Sequence, residues 1–330
     1  MWFDELMGFS ESRAKVYAHL AVKDGQLQNN VTGNCLSCGQ LSTPALAELR
    51  SSGALALLPG QLSVTERVAD VQALHVDPAN AGALFQVASQ FNLLEMISPE
   101  VSPEQGISCY QTDCTQGPAC AIACGAGTIY RNYFVEVAGA GQVGQTSTLQ
   151  LDMLADVGFV LGNIDAKLWR MQNGYLLPSL AGLQAIDSHL SQCNEDQLDE
   201  LRTLLRIGVQ ANTQVTLRSC QHLVTQAYCS ALPVAYCDFG SQLWERFATL
   251  VLEAAYEATL AAAALNAAKT GNSRVFLTLL GGGAFGNKTE WIIAAIRRAL
   301  CLYQNVALDV QIVSYGSSKA EVRQLIAEFG

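Results

Sequence analysis

The sequence predicts an α/β fold built on parallel strands, and three observations carry that prediction. First, an apolar β-type run opens residues 275–287, VFLTLLGGGAFGN, and empties directly into Gly281, Gly282, Gly283 and Gly286. Second, a helical stripe follows at Trp291, Ile292, Ala295, Ile296, Ala299 and Leu300 and leads to another apolar run at 306–315, which makes one βαβ unit. Third, the stretch SVTERVADVQAL sets Val64, Val68 and Val71 among polar neighbours, and after a turn-like segment at 75–82 comes ALFQVAS, a run that suits a buried strand.

The remaining elements follow in order. Residues 1–61 read as helices, broken by the polar stretch 28–39 and the Pro59-Gly60 turn, and form an N-terminal helical extension to an α/β domain over 62–330. Between Gly106 and Tyr133 the chain is rich in Gly, Cys, Thr and Ala, and it runs on through the Gly-punctuated residues 138–144 as a long loop. Helical periodicity returns near Leu149, at 197–207 and most strongly at 241–268, with strand candidates at 214–218 and 222–228. Residues 149–274 are therefore expected to be a largely helical insertion.

Composition narrows the function. The chain has 330 residues, 50% of them hydrophobic, enough to bury a large core. It has no uninterrupted apolar span of 18 residues, and MWFDELMGFSESRAK lacks the basic start and apolar centre of a secretory signal, so a soluble cytoplasmic protein with no membrane partner is expected. A net charge of −10 with scattered Lys and Arg argues against a nucleic-acid surface. Eleven cysteines, an odd number in a long chain, read as reduced thiols. The Cys35-Cys38 pair has no second pair and no histidine cluster nearby, so neither a metal nor a cofactor is expected.

The glycine run carries the most specific chemistry. Glycines let a backbone turn back on itself and approach an anion without Cβ interference, and the free N–H groups at the following helix start, near Lys288, add donors and partial positive charge. A tight turn with no ligand is the alternative for the same residues.

Several segments resemble the macrodomains, a family that binds ADP-ribose and in many members hydrolyses its bonds. VADVQAL supplies Asp70 and Val71 where macrodomains carry an Asp-Ile type pair that contacts adenine. LFQVASQFNLLE supplies Ser89 and Asn92 for a strand ending in a small residue and Asn, and LTLLGGGAFGNKTEW supplies Gly281, Gly282, Gly283, Ala284, Phe285, Gly286 and Asn287 for the closing loop and its aromatic. The resemblance spans residues 64–316 with a long interruption, and it implies a three-layer fold with a mixed sheet flanked by helices. The stretch GISCYQTDCTQGPACAIACGAGTIYRNYF, with VTQAYCSALPVAYC, looks similar to a divergent branch that includes bacterial effectors acting on ADP-ribosylated ubiquitin. By that resemblance 106–133 replaces the usual first glycine loop and lies beside the distal ribose, with Gln116, Arg131 and Asn132 as its polar groups. The GGGV-type first loop and the paired glutamates of poly(ADP-ribose) glycohydrolases are missing, so no catalytic group is carried over from them.

What the resemblance implies is an ADP-ribose-binding hydrolase that releases ADP-ribose from a modified protein side chain, with ADP-ribose and an ADP-ribosylated protein such as ubiquitin as partners. Cleaving the ribose C1″ bond develops positive charge on the sugar and needs an activated water, which calls for a nearby carboxylate. Asp113 leads because it lies in a polar segment off any regular helical face, with Glu95 and Glu104 flanking the same region. A cap on a helix starting near Pro118 is the competing role for Asp113. A noncatalytic ADP-ribose reader and a nucleotide-dependent enzyme of another class remain as alternatives, although GxGxxG is absent.

Overall fold

The computed structural model describes residues 1–137 and 141–330. Its centre is a seven-stranded sheet of β1 (Gln40–Ser42), β2 (Ser63–Val68), β3 (Leu84–Ala88), β4 (Gly208–Gln214), β5 (Leu223–Cys229), β6 (Arg274–Leu277) and β7 (Asp309–Ser314), in the order β1-β4-β5-β3-β6-β7-β2. The five strands from β5 to β2 run parallel, and β4 and β1 are antiparallel at the other end. The expected α/β class, a mixed sheet flanked by helices, is what the chain adopts.

The sheet's two faces are covered by different kinds of helix. On one side lies the 30-residue helix Ser241–Thr270, whose alanines let it approach the sheet closely, with Leu180–Gln192, Thr289–Leu302 and Ala320–Ala327 around it. That helix is long and apolar enough to cross a membrane, but 83% of its most apolar 18-residue window is buried inside this protein, where a hydrophobic surface belongs. On the other side lie the short helices Val71–Val76, Gln116–Ala123 and Gly125–Ile129.

Several expectations are corrected. The N-terminal segment is not only helical: Leu20–Lys23, Gln26–Asn29 and Cys35–Ser37 form a three-stranded antiparallel sheet, and residues 40–42 join the main sheet as β1. The polar stretch read as a break between helices is thus strand and turn. Residues 149–274 hold not only helices but also the hairpin of Trp169–Gln172 with Tyr175–Pro178, and they supply β4 and β5, so the segment is part of the core sheet. β4 ends at Gln214, where a strand was expected to begin, because Arg218 and Ser219 take positive φ in a tight turn. Residues 75–82 are largely helical, as Val71–Val76 and Pro78–Asn80. The region near Leu149 becomes helical only at Ala155–Leu161. Of the loop expected over 138–144, residues 138–140 lie outside the described residues.

The small-residue segment 106–133 is mostly helical. Gly117 rests on the Ala88 carbonyl oxygen so closely that a Cβ would collide with it, and Gly127 packs on Thr213 and Cys38. Its Gly, Ala and Cys content therefore serves close helix-to-sheet approach. Helix Gly125–Ile129 continues into a π-turn over Tyr130–Phe134, and Arg131, Asn132 and Tyr133 are all buried there.

His75 joins the two layers. Its ring stacks on Phe85 at 3.8 Å, and Phe85 stacks on Phe276 at 4.5 Å. Nδ1 lies 2.8 Å from the Val71 carbonyl oxygen and Nε2 lies 3.0 Å from the Gln226 side-chain nitrogen, an arrangement that assigns the neutral tautomer: Nδ1–H donates and Nε2 accepts. Burial pushes the imidazole pKa down to about 4. Between about pH 4 and 6.5 the unfolded chain binds a proton here that the folded chain does not, so stability falls as pH drops through that window. The loss should reach roughly 3 kcal/mol below both values. Urea unfolding from pH 7.5 to 4 on wild type and His75→Gln checks this: the variant should lack this component, and parallel curves would show that His75 does not titrate as assigned.

Candidate functional site

The parallel strands end together along one edge, and that edge gathers segments far apart in sequence. Adjacent strands β2, β7, β6 and β3 deliver Asp70, Tyr315, the glycine loop and Ser89 in that order. The step from β2 to β3 is three strand spacings, about 14 Å. That span suits an extended dinucleotide-sized ligand, and the carboxyl edge is where α/β sheets bind ligands.

The glycine loop is held rigidly at its ends and open in its middle. Gly281 and Gly286 have φ of 73° and 71°, which favours glycine. A Cβ on Gly281 would strike Ala231, and one on Gly286 would come within 2.8 Å of Ala235 Cβ. The Asn287 backbone N–H donates to the Gly281 carbonyl oxygen (2.9 Å), its side-chain Nδ2 donates to the Leu232 carbonyl oxygen (2.8 Å), and the Ala235 N–H donates to the Phe285 carbonyl oxygen (3.0 Å). Buried Tyr256 fastens the loop's base: its hydroxyl donates to the Thr278 carbonyl oxygen (2.7 Å) and accepts from the Leu280 N–H (2.8 Å). Gly282, Gly283 and Ala284 are exposed, and a Cβ on Gly283 would meet open space. The N–H groups of Gly283, Ala284 and Phe285 have no acceptor among the described residues. Three consecutive free donors lead into the helix Thr289–Leu302, an arrangement with the geometry to accept an anion.

Phe285 is half-buried against an aromatic cluster. Its ring lies 5.4 Å from Tyr175 and 5.6 Å from Tyr236, which are 5.1 Å from one another. Burial drives the Tyr175 phenol far above its ordinary pKa, with the neighbouring Tyr236 hydroxyl and, more weakly, the charges of Asp113 and Glu100 acting in the same direction.

Asp113 lies between the turn Ser108–Thr112 and the helix Gln116–Ala123. Its Oδ1 accepts from the Thr115 N–H (2.8 Å), a local turn bond, while Oδ2 has no partner among the described residues. Gln116 does something the sequence does not announce. β3 and β6 pair in register only at Val275↔Leu84 and Phe276↔Phe85, and beyond that point the Gln116 amide takes the neighbouring strand's place, donating to the Gln86 carbonyl oxygen (2.8 Å) and accepting from the Ala88 N–H (2.9 Å). Gln116 thus holds the two strands apart at the edge, with its own amide occupied.

The other expected site residues divide by burial. Asp70 is exposed and caps the helix Val71–Val76, one oxygen accepting from the Gln72 and Ala73 N–H groups, while Val71 is in the core. Asn92 is fully buried with its amide spent on Gln150 and the Leu94 N–H, so its role is to hold a turn. Asn132 is also fully buried and donates to the Pro103 carbonyl oxygen. Glu104 is exposed, but its carboxylate accepts from the Ser147 N–H and hydroxyl, bonds that hold its pKa below the usual value against the opposing effect of burial.

Glu95 is withdrawn from solvent at 1% exposure, and it pairs with fully buried Arg131 at 3.1 and 3.2 Å. Burial pushes its carboxyl pKa up to about 7, with Arg131 pulling the other way. Arg131 also donates to the Leu93 carbonyl oxygen (2.9 Å) and the Tyr228 hydroxyl, and its guanidinium lies 3.7 Å from the Tyr228 ring centre. Tyr228 donates to Gln226, and Gln226 meets His75, so one buried chain of polar groups runs from Glu95 to His75. It lies under the edge: a Cβ on Gly117 would come 3.2 Å from Glu95 Cγ. Glu95 is thus placed to support the site from below.

Sequence reasoning passed over Tyr315, which is 76% exposed one residue beyond β7 and next to the Asp70 strand through the Ser314↔Val68 register. An aromatic directly after an alternating strand and before Gly316 is the signal that marks it. The central cysteines read as small buried residues at Cys120 and Cys124, whose thiols burial drives well above their usual pKa, whereas Cys114 is exposed. Among the described residues no three His, Cys, Asp or Glu side chains gather as a metal-holding group.

No protein-family model matches the chain, and no curated protein matches its sequence. Solved structures similar to it include poly(ADP-ribose) glycohydrolase from Deinococcus radiodurans in apo form, at 11% identity over 88% of this chain and 93% of that one (TM-score 0.42). The same enzyme in complex with ADP-ribose gives 12% identity over 88% and 95% (TM-score 0.42). Poly(ADP-ribose) glycohydrolase from Thermomonospora curvata bound to the inhibitor ADP-HPD gives 12% over 96% of each chain (TM-score 0.40). Likeness this loose assigns no residue a role.

The buried pair makes a sharp stability prediction. Arg131→Met strands the Glu95 carboxyl in the core and should cost about 3–5 kcal/mol, whereas adding Glu95→Leu should restore much of it. Denaturant unfolding of the single and double variants measures both, and a loss under about 1 kcal/mol for Arg131→Met would mean the pair is open to water.

Proposed function

We propose that this edge binds ADP-ribose and that the protein hydrolyses the bond joining ADP-ribose to a modified protein side chain. The adenine lies at Asp70 and Tyr315, the diphosphate on the N–H groups of residues 283–285, and the distal ribose beside Phe285 and Asp113. The observation that carries this reading is the convergence of the macrodomain-like segments on one edge, with three free donors at the middle position.

The chemistry follows from charge. As the bond between ribose C1″ and the side-chain atom breaks, that atom keeps the bonding electron pair and takes a proton from solvent, the sugar becomes cationic, and a water oxygen bonds to C1″. Asp113 Oδ2 takes the water's proton and its charge offsets the sugar's, while Oδ1 stays on the Thr115 N–H and fixes the carboxylate's direction. Glu95 is buried and Glu104 is tied to Ser147, so neither serves as directly. ADP-ribosylated ubiquitin and Arg-, Ser- and Glu-linked ADP-ribosylated proteins are the substrates to compare.

Two variants test the two halves of the reading. Gly283→Val adds a side chain where the structure has open space, so the fold should survive while ADP-ribose binding weakens at least about tenfold, or roughly 1.4 kcal/mol. Unchanged affinity by calorimetry would place the diphosphate elsewhere. Asp113→Asn keeps shape and the Thr115 turn bond but removes the basic oxygen, so release should slow by ~10² or more with affinity little changed. Wild-type release by this variant would remove Asp113 from the chemistry, and ADP-ribose binding without release from any of the four substrates would make the protein a reader.

A further inference from the structure

We propose that Glu11 is a positioning residue for Asp113: its carboxylate clamps the turn that carries Asp113 and so fixes the angle at which Asp113 meets the ligand. This rests on the hydrolase reading above. Glu11 Oε1 accepts from the Ile107 N–H (2.9 Å), and Oε2 accepts from the Ser108 N–H (2.7 Å). The Tyr133 hydroxyl donates to Oε1 at 2.5 Å. These charge-assisted bonds converge on one carboxylate, which the turn's N–H groups and the Tyr133 hydroxyl hold from two sides.

The backbone is shaped to receive that carboxylate. Gly106 has φ of 84°, and a Cβ there would lie 2.7 Å from the Glu11 carboxylate, so only glycine admits the contact. The same N-terminal segment grips the turn a second time: the Trp2 N–H donates to Gln111 Oε1 (3.0 Å) and its indole donates to the Ile107 carbonyl oxygen (3.1 Å).

From the clamp to Asp113 the linkage is short and stiff. The turn Ser108–Thr112 begins at the clamped N–H groups, and the Asp113 N–H closes it on the Tyr110 carbonyl oxygen (3.1 Å). Tyr110 is fully buried, and its hydroxyl accepts from the Glu95 N–H (2.9 Å). One end of the turn is thus held by Glu11 and its middle by the core, which leaves Asp113 little freedom. Releasing the Glu11 hold leaves that end of the turn on the two Trp2 bonds alone, so the turn gains freedom to pivot about Tyr110, and misplacement of a reacting group by about 1 Å can cost up to ~10² in rate.

The full-length protein decides this with Glu11→Ala, Asp113→Asn and the double variant, measuring ADP-ribose affinity and release rate per folded molecule. Glu11→Ala should lower the release rate at least about tenfold with affinity within about threefold, and Glu11→Gln, which keeps an oxygen acceptor, should recover part of the rate. In the Asp113→Asn background Glu11→Ala should change the rate by less than about twofold, because the group it positions is already disabled. Hydrogen exchange on Glu11→Ala should quicken in residues 106–115 and stay unchanged in β3. Normal release by Glu11→Ala alongside slow release by Asp113→Asn, fully multiplicative losses, or unchanged exchange would each overturn the clamp alone. Wild-type release by Asp113→Asn would instead sink the hydrolase role from which the clamp takes its meaning.

Discussion

A guanidinium and a carboxylate with no access to water are tolerated only if every polar atom around them is matched, and the Arg131–Glu95 pair imposes that demand on the middle of this fold. Arg131 reaches the pair because a π-turn at Tyr130–Phe134 leaves its side chain inside. Its remaining donors then recruit the Leu93 carbonyl oxygen and Tyr228, Tyr228 recruits Gln226, and Gln226 recruits His75. Helix Val71–Val76, the π-turn, strand β5 and the segment after β3 are thereby tied together. The charged end of the chain lies beneath Gly117 and the Asp113 turn, so the layer that supports the proposed chemistry is also the one least free to adjust.

The opposite layer is mainly apolar, with Thr259 bonding Gln86 and Asn266 bonding Thr225 where the long helix meets the sheet. Helix Ser241–Thr270 presents small side chains to the sheet and uses one polar group, the Tyr256 hydroxyl, to fix residues 278–280. The glycine loop therefore leaves a rigid base on β6, is stapled to the segment after β5, and leaves the donors of residues 283–285 free. A site with fixed ends and free central donors is preorganised for an anion, because nothing must be unmade before the ligand's oxygens arrive.

The elements visible in the sequence were those whose periodicity is local. Strands 84–88 and 309–314, the helices over 241–270 and 289–302, and the glycine loop each declare themselves within a dozen residues. What stayed hidden depends on neighbours distant in the chain. Nothing within residues 40–42 says that they extend a sheet through residues 209–211, and the small residues of 106–133 look like a loop until Gly117 is seen against Ala88. The same limit applies to the site. Gly281 to Asn287 could be read directly, whereas Glu95 and Asn92 carry residue types that suit ligand contact and only burial shows them turned inward. Tyr315 was legible in principle, but an aromatic ending an apolar run looks like one more core residue.

The Gln116 bridge bears on kinetics. Where neighbouring strands part, the peptide groups facing the gap ordinarily compete for water or for one another, and such a gap tends to close. Here a side-chain amide saturates the Gln86 and Ala88 groups, so the parting of β3 and β6 is built into the fold by the protein's own hydrogen bonds. Entry of a ligand then requires no unzipping of the ladder. Association should be governed by diffusion and orientation, and differences in affinity among ligands should appear chiefly in how long each one stays.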